Sequence, residues 1–115
     1  MFKELGMLAG LLGNKGKLQE EIAKFQQNVG QITAEGTAGA GYVTVKVSGK
    51  MEVQSVRISE EAMKLNDREM LEDLITAATN QAMAKAREQV SQETAKVAQN
   101  MGLPAGMLGG LPGFG

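Results

Sequence analysis

Leu18, Ile22, Phe25 and Val29 follow one another at intervals of four, three and four residues, which sets them on one stripe of a helix. Gln19, Glu20, Lys24 and Gln27 occupy the other sides, with Glu20 four residues ahead of Lys24 in the order that favours an ion pair. Leu5, Leu8 and Leu12 would extend the stripe upstream, but the four glycines from Gly6 to Gly16 weaken a helix there. The spacing predicts a helix from Gly16 to about Asn28–Gly30.

The period then falls to two. Ile32 and Ala34 alternate with Thr33 and Glu35, and Val43, Val45 and Val47 alternate with Tyr42, Thr44, Lys46 and Ser48, as strands with one buried face do. Gly36, Gly39 and Gly41 predict a turn between these strands. Ser48-Gly49-Lys50-Met51 predicts a two-residue hairpin of type II′, with glycine first. In the third strand Met51 and Val53 share one parity, whereas Val56 and Ile58 share the other. A bulge near Gln54-Ser55 would return all of them to one face.

Ser59 to Leu65 reads as a turn with a short helical piece, and Asn66-Asp67-Arg68-Glu69 has the form of a capping box with Asn66 as the cap. From Asp67 to about Asn100 the chain lacks Gly and Pro, which predicts a helix of about 30 residues, roughly 45–50 Å long. Leu71, Leu74, Ile75, Ala78 and Ala82 share one azimuth of it, while Met83, Ala86, Val90, Val97 and Met101 lie on a face turned by roughly 90°. Three strands of about six residues extend only about 20 Å. The first half of the helix is enough to cover such a sheet, and the second half needs the first helix, a second subunit or both. The result is an α+β chain in the order α-β-β-β-α, with a three-stranded antiparallel sheet and long protruding helices. It forms one domain over residues 1–100 (weakly helical and Gly/Leu-rich at 1–15), followed by a Gly/Pro-rich tail, 101–115, expected to be mobile.

Composition removes several functions. The 115 residues include no Cys and no His, so thiolate chemistry and the commonest general base and metal ligand are missing. An enzyme is therefore not expected, nor a cofactor or metal. A chain this short buries a modest share of its surface, which favours oligomerisation. The N-terminal lysine and apolar stretch resemble a signal peptide only in part: Glu4 and the glycines interrupt it, and it is too short to span a bilayer. A cytoplasmic protein is expected.

The glycines do not form a phosphate loop. Their order is G-x-x-G-x-G and a strand follows, whereas a dinucleotide fingerprint needs G-x-G-x-x-G leading into a helix. The carboxylate pairs Glu20-Glu21, Glu60-Glu61 and Glu72-Asp73 are sequence neighbours, about 100° apart on a helix, and make no acid/base pair or metal cage by local geometry. The basic residues carry the sharper reading. Lys85, Gln89, Gln92 and Lys96 fall within about 60° on the long helix, with Arg87 well round from them, and Lys17, Lys24 and Asn28 share a side of the first helix with Glu21 among them. Such residues can reach DNA phosphates without reading bases, although periodicity alone favours an ordinary solvated face. With 12 Lys and Arg against 13 Asp and Glu, a DNA-binding chain would have to segregate its charge. Aromatics make up only 3% of residues, which favours duplex backbone binding over single-strand stacking.

GTAGAGYVTVKVSGKMEVQSVRIS and DREMLEDLITAATNQAMAKA together resemble the YbaB/EbfC family of bacterial nucleoid-associated proteins. Gly36, Gly39, Gly41, Val43, Val45 and Gly49 carry the likeness, then Val56 and Ile58, then Met70 to Ile75, Ala78, Asn80 and Ala82. The resemblance implies a homodimer with tweezer-like protruding helices that binds duplex DNA in the nucleoid. It also implies altered DNA conformation, an influence on gene expression and little strict sequence preference. The first helix departs from the family, beginning with the Gly/Leu-rich MLAGLLGNKGK where relatives often run Met/Gln/Lys-rich. Lys15, Lys17, Lys24, Lys85, Arg87 and Lys96 are the candidate DNA contacts. The rival reading is a protein-interaction or scaffolding dimer with weak secondary DNA binding, which the acidic net charge and the distal Met/Val stripe favour.

Overall fold

The computed structural model describes residues 15–103. The expected weak helical start (1–14) and most of the expected mobile tail (104–115) lie outside the described residues. The elements are α1 (Lys15–Gln31), β1 (Thr33–Ala38), β2 (Val43–Ser48), β3 (Val53–Ile58), α2 (Glu60–Lys64) and α3 (Arg68–Asn100). The α-β-β-β-α order holds, with α2 a five-residue helix ahead of the 33-residue α3. Two compact units emerge, Val29–Ser91 and Met1–Asn28 with Gln92–Gly115.

In the first unit the strands form an antiparallel sheet in the order β1-β2-β3. Alternation sends Val43, Val45 and Val47 to one face, where all three are fully buried. Ala78, Ala82 and Ala86, spaced four apart on α3, are also fully buried and join them in one cluster with Leu74, Ile75 and Met83 around it. Small side chains let the helix backbone approach the strands closely. At Gly36 in β1 the approach is so tight that a Cβ would stand 2.0 Å from the Ala78 carbonyl oxygen and 2.6 Å from the Ala82 nitrogen.

Gly36 therefore serves helix–strand contact and not the turn. Gly39 and Gly41 do take left-handed φ values of 67° and 95°, with Ala40 at 55° between them. Tyr42 N–H donates to the Gly39 carbonyl at 3.2 Å, and positive φ at both central residues is the form of a type I′ turn.

The second hairpin differs from its expected form. Met51, not Gly49, takes the left-handed φ (63°), and Ser48 N–H donates to the Glu52 carbonyl at 2.9 Å across a three-residue loop. Gly49 is needed for space: a Cβ there would lie 2.3 Å from the Val29 carbonyl oxygen. The expected bulge is present. Lys46 pairs with Ser55 and Val47 with Val53, so Gln54 is the extra residue. Val53, Val56 and Ile58 thus oppose Val47, Val45 and Val43 on one face, yet they remain 47%, 44% and 37% exposed.

The N-cap of α3 is Asp67, one residue later than the expected box. Met70 N–H donates to Asp67 Oδ1 at 3.1 Å, while Asn66 sits at φ 50° after α2. In the second unit Phe25 of α1 and Val97 and Ala98 of α3 are buried. There α3 ends in a Schellman motif: Gly102 has φ 68°, its N–H donates to the Gln99 carbonyl at 3.1 Å, and Leu103 N–H donates to the Ala98 carbonyl at 2.7 Å. Leu103 and Ala98 are both buried, as the apolar closure of that motif requires.

Gly36→Ala drives a methyl into backbone atoms that cannot retreat, and is expected to cost about 3 kcal/mol or more. Gly41→Ala meets open space and carries only the left-handed strain, about 1–2 kcal/mol. Urea unfolding of both variants checks this, and an equal or reversed ranking would mean that α3 does not lie this close to β1.

Candidate nucleic-acid interface

Lysines reach the surface on both long helices, and their partners decide how free each is to meet a phosphate. Lys15 is the first residue of α1; its side chain lies outside the described residues. Lys17 is exposed and, among the described residues, in no ion pair. Lys24 Nζ lies 3.3 Å from Glu20 and 3.9 Å from Glu21. Glu21 falls on the same side of α1 but is buried, with 8% exposure, so it does not stand on the surface between Lys17 and Lys24 as an open carboxylate.

On α3, Lys96 Nζ lies 3.1 Å from Glu93, whose other carboxylate oxygen accepts from Asn28 Nδ2 at 3.3 Å. Asn28, expected beside the lysines of α1, thus joins α1 to α3 through Glu93 within the helix-pair unit. Exposed ion pairs of this kind contribute only about 0–1 kcal/mol. Neither Lys24 nor Lys96 is locked away from a stronger anion.

Lys85 and Arg87 belong to the sheet-bearing unit. Arg87 is exposed and, among the described residues, unpaired with any acid. Lys85 Nζ donates at 3.1 Å to the Glu35 carbonyl oxygen on β1. That contact has no signature in the sequence, because it depends on which strand edge α3 happens to flank. It uses one of the three donors of the ammonium group. The expected row Lys85, Gln89, Gln92 and Lys96 is divided between the two units, Lys85 and Gln89 in one and Gln92 and Lys96 in the other.

Charge is divided along the same line. Residues Met1–Asn28 and Gln92–Gly115 hold five Lys against four Glu, whereas Val29–Ser91 holds seven Lys and Arg against nine Asp and Glu. Six of those nine acids fall between Glu60 and Asp73, with Lys64 and Arg68 as the only bases there. The helix-pair unit thus sums to +1 and the sheet-bearing unit to -2.

Among the described residues no three Asp or Glu side chains are grouped to hold a metal ion. An open cavity of about 330 Å³ is lined by Asp67, Glu69, Met70, Asp73 and Leu74. Its carboxylates sit in the first turns of α3, where the helix dipole favours negative charge. The glycine turn at Gly39–Tyr42 leads into β2, whereas a phosphate loop leads into a helix.

The described residues make a small α+β fold, an antiparallel sheet packed by a helix, with lysines along two long helices. The chain belongs to the YbaB/EbfC DNA-binding family, whose model matches residues 5–101. It is 36% identical over 99 residues to a nucleoid-associated protein of Pelotomaculum thermopropionicum, covering 86% of this chain and 94% of the relative. It is 39% identical over 108 residues to a nucleoid-associated protein of Bacillus thuringiensis, covering 88% and 99%. An uncharacterized Helicobacter pylori protein, HP0035, shares the fold in its crystal structure, with a TM-score of 0.61 at 22% identity over 82% of this chain and 91% of that one.

Proposed function

We propose that this chain is a nucleoid-associated protein that acts as a homodimer, gripping duplex DNA through phosphate contacts from α1 and α3 and altering its conformation. The observation that carries the reading is the match to a DNA-binding family across nearly the whole chain. The lysine excess of the helix-pair unit supports it, because phosphate contact requires only reachable positive charge. Lys15, Lys17, Lys24, Arg87 and Lys96 are the proposed contacts, with Lys85 contributing through the donors that Glu35 leaves free. With few aromatics, sequence preference would come from DNA shape and deformability. The nucleoid, and with it the cytoplasm, is the expected location; among the described residues no helix is long and apolar enough to cross a membrane.

The homodimer is supported by the uncovered half of the sheet. Val53, Val56 and Ile58 continue the face that β2 buries completely, and they are left half in solvent. A second copy covering that face would remove apolar surface from water at about 25 cal/mol per Å². A second reading, a scaffolding dimer with weak DNA binding, draws on Met63 and Leu65, exposed by 57% and 52% in the acidic stretch around Glu60, Glu61 and Asp67. A stoichiometric protein partner, with no shift of duplex DNA near physiological salt, would promote it.

Fluorescence anisotropy on duplex DNA should show affinity falling steeply with salt, log K dropping about 0.9 per phosphate neutralised for each unit of log salt. Lys24→Gln and Lys96→Gln should each lower that slope by about one and weaken all duplexes alike, with unfolding free energy changed by less than about 1 kcal/mol. Tight binding indifferent to salt would sink the phosphate mechanism. For the dimer, Val56→Glu is expected to halve the mass seen by sedimentation while the far-UV spectrum is kept; an unchanged mass would remove β3 from the interface.

A further inference from the structure

The sheet has two edges, β1 and β3, and each unpaired edge offers N–H and C=O groups to any passing strand. The edges are finished differently. On β1, Thr37 N–H donates to Gln81 Oε1 at 2.7 Å, and the Glu35 carbonyl accepts from Lys85 Nζ at 3.1 Å. Residues 35 and 37 have the same parity in an antiparallel strand, so their main-chain groups point to the same side, outward from β2. Gln81 and Lys85 are four apart on α3, one turn, which matches the repeat of two residues along the strand. An acceptor is thus set on the outward donor and a donor on the outward acceptor. These are the groups an added strand would use. Both Glu35 and Thr37 are exposed, so solvent and other chains could otherwise reach them. Among the described residues, no side chain caps β3 in this way, and its apolar side chains stand half exposed.

We propose that Gln81 and Lys85 form a paired edge guard that bars β1 from accepting a strand of another chain and so confines self-association to the β3 side of the sheet. This rests on the homodimer reading for the choice of the β3 side, but the guard itself stands on the β1 contacts alone. It gives the chain a closed assembly. With both edges open, one copy could take a partner on each side and the sheet could grow without limit. It also reassigns most of the purpose of Lys85, from DNA charge to sheet edge.

The test is the double variant Gln81→Ala/Lys85→Ala in the full chain, with alanine chosen to keep the helix. At a concentration too low for association, Thr37 amide exchange should quicken roughly five- to tenfold as its acceptor is lost, and sedimentation at rising concentrations should reveal species larger than wild type. Adding Val56→Glu should leave an association through β1 in place. Unchanged exchange with an unchanged mass distribution overturns the proposal. Faster exchange without larger species also overturns it, since the pair would then only satisfy the edge, and so does a monomeric mass when Val56→Glu is added to the double variant. Should the double variant lose its far-UV signature, Lys85→Met, which keeps the aliphatic stem and removes the donor to the Glu35 carbonyl, is judged by the mass distribution alone, since Gln81 still accepts from Thr37. A monomeric wild type overturns the homodimer reading, whereas the difference between wild type and variant alone judges the guard.

Discussion

The backbone of α3 lies so near β1 that Gly36 has no room for a methyl group, and the sheet-bearing unit is organised by that distance. It is possible because α3 turns Ala78, Ala82 and Ala86 toward the strands, each fully buried. Larger side chains at those positions would lift the helix, uncovering Val43, Val45 and Val47, each of which gains roughly 1.5–3 kcal/mol from full burial. The same distance brings Gln81 and Lys85 within hydrogen-bonding reach of β1 and sets Leu74 against Gly39, where a Cβ would meet its Cδ1 at 2.8 Å. Core packing, edge capping and turn position thus follow from one close contact.

That contact has a consequence on the far side of the sheet. A helix drawn down over β1 and β2 leaves β3 uncovered, yet β3 keeps an apolar face. The bulge at Gln54 makes sense only in this light. Without it Val56 and Ile58 would turn to the face that carries Thr44 and Lys46, and only Val53 would continue the core. A bulge that aligns three apolar residues with a buried face is wasted if that face meets water. Among the described residues nothing covers this apolar face of β3.

Local patterns were legible in the sequence, and contacts between distant segments were not. The parity break at Val53/Val56 revealed the bulge, because side-chain alternation is a property of the strand itself. The glycines show the limit. Gly39 and Gly41 serve backbone conformation, but Gly36 and Gly49 are glycines because backbone from another element presses on them, and a sequence does not record that pressure. Asn66 and Asp67 are both good caps, so the pattern could not choose between them; the left-handed φ of Asn66 leaves the role to Asp67. Lys85 announced a charge but not the carbonyl beside it. The family was readable from the order and spacing of many weak motifs. The DNA contacts were not, since a phosphate asks only for charge within reach.

The weakness of that requirement explains how an acidic chain can serve as a DNA binder. Lys24 rests on Glu20 in an exposed pair worth about 1 kcal/mol at most, so on the proposed mechanism exchanging that carboxylate for a DNA phosphate would cost little; Glu93, beside Lys96, is more buried. The exchange also frees condensed counterions from the duplex, a gain that no intramolecular carboxylate can match. Net charge then matters less than its placement. The acids between Glu60 and Asp73 fall in the sheet-bearing unit, while the helix pair carries the excess of lysine. On the proposed phosphate mechanism, such ion pairs in the free protein would be exchanged for DNA phosphates and would not block them.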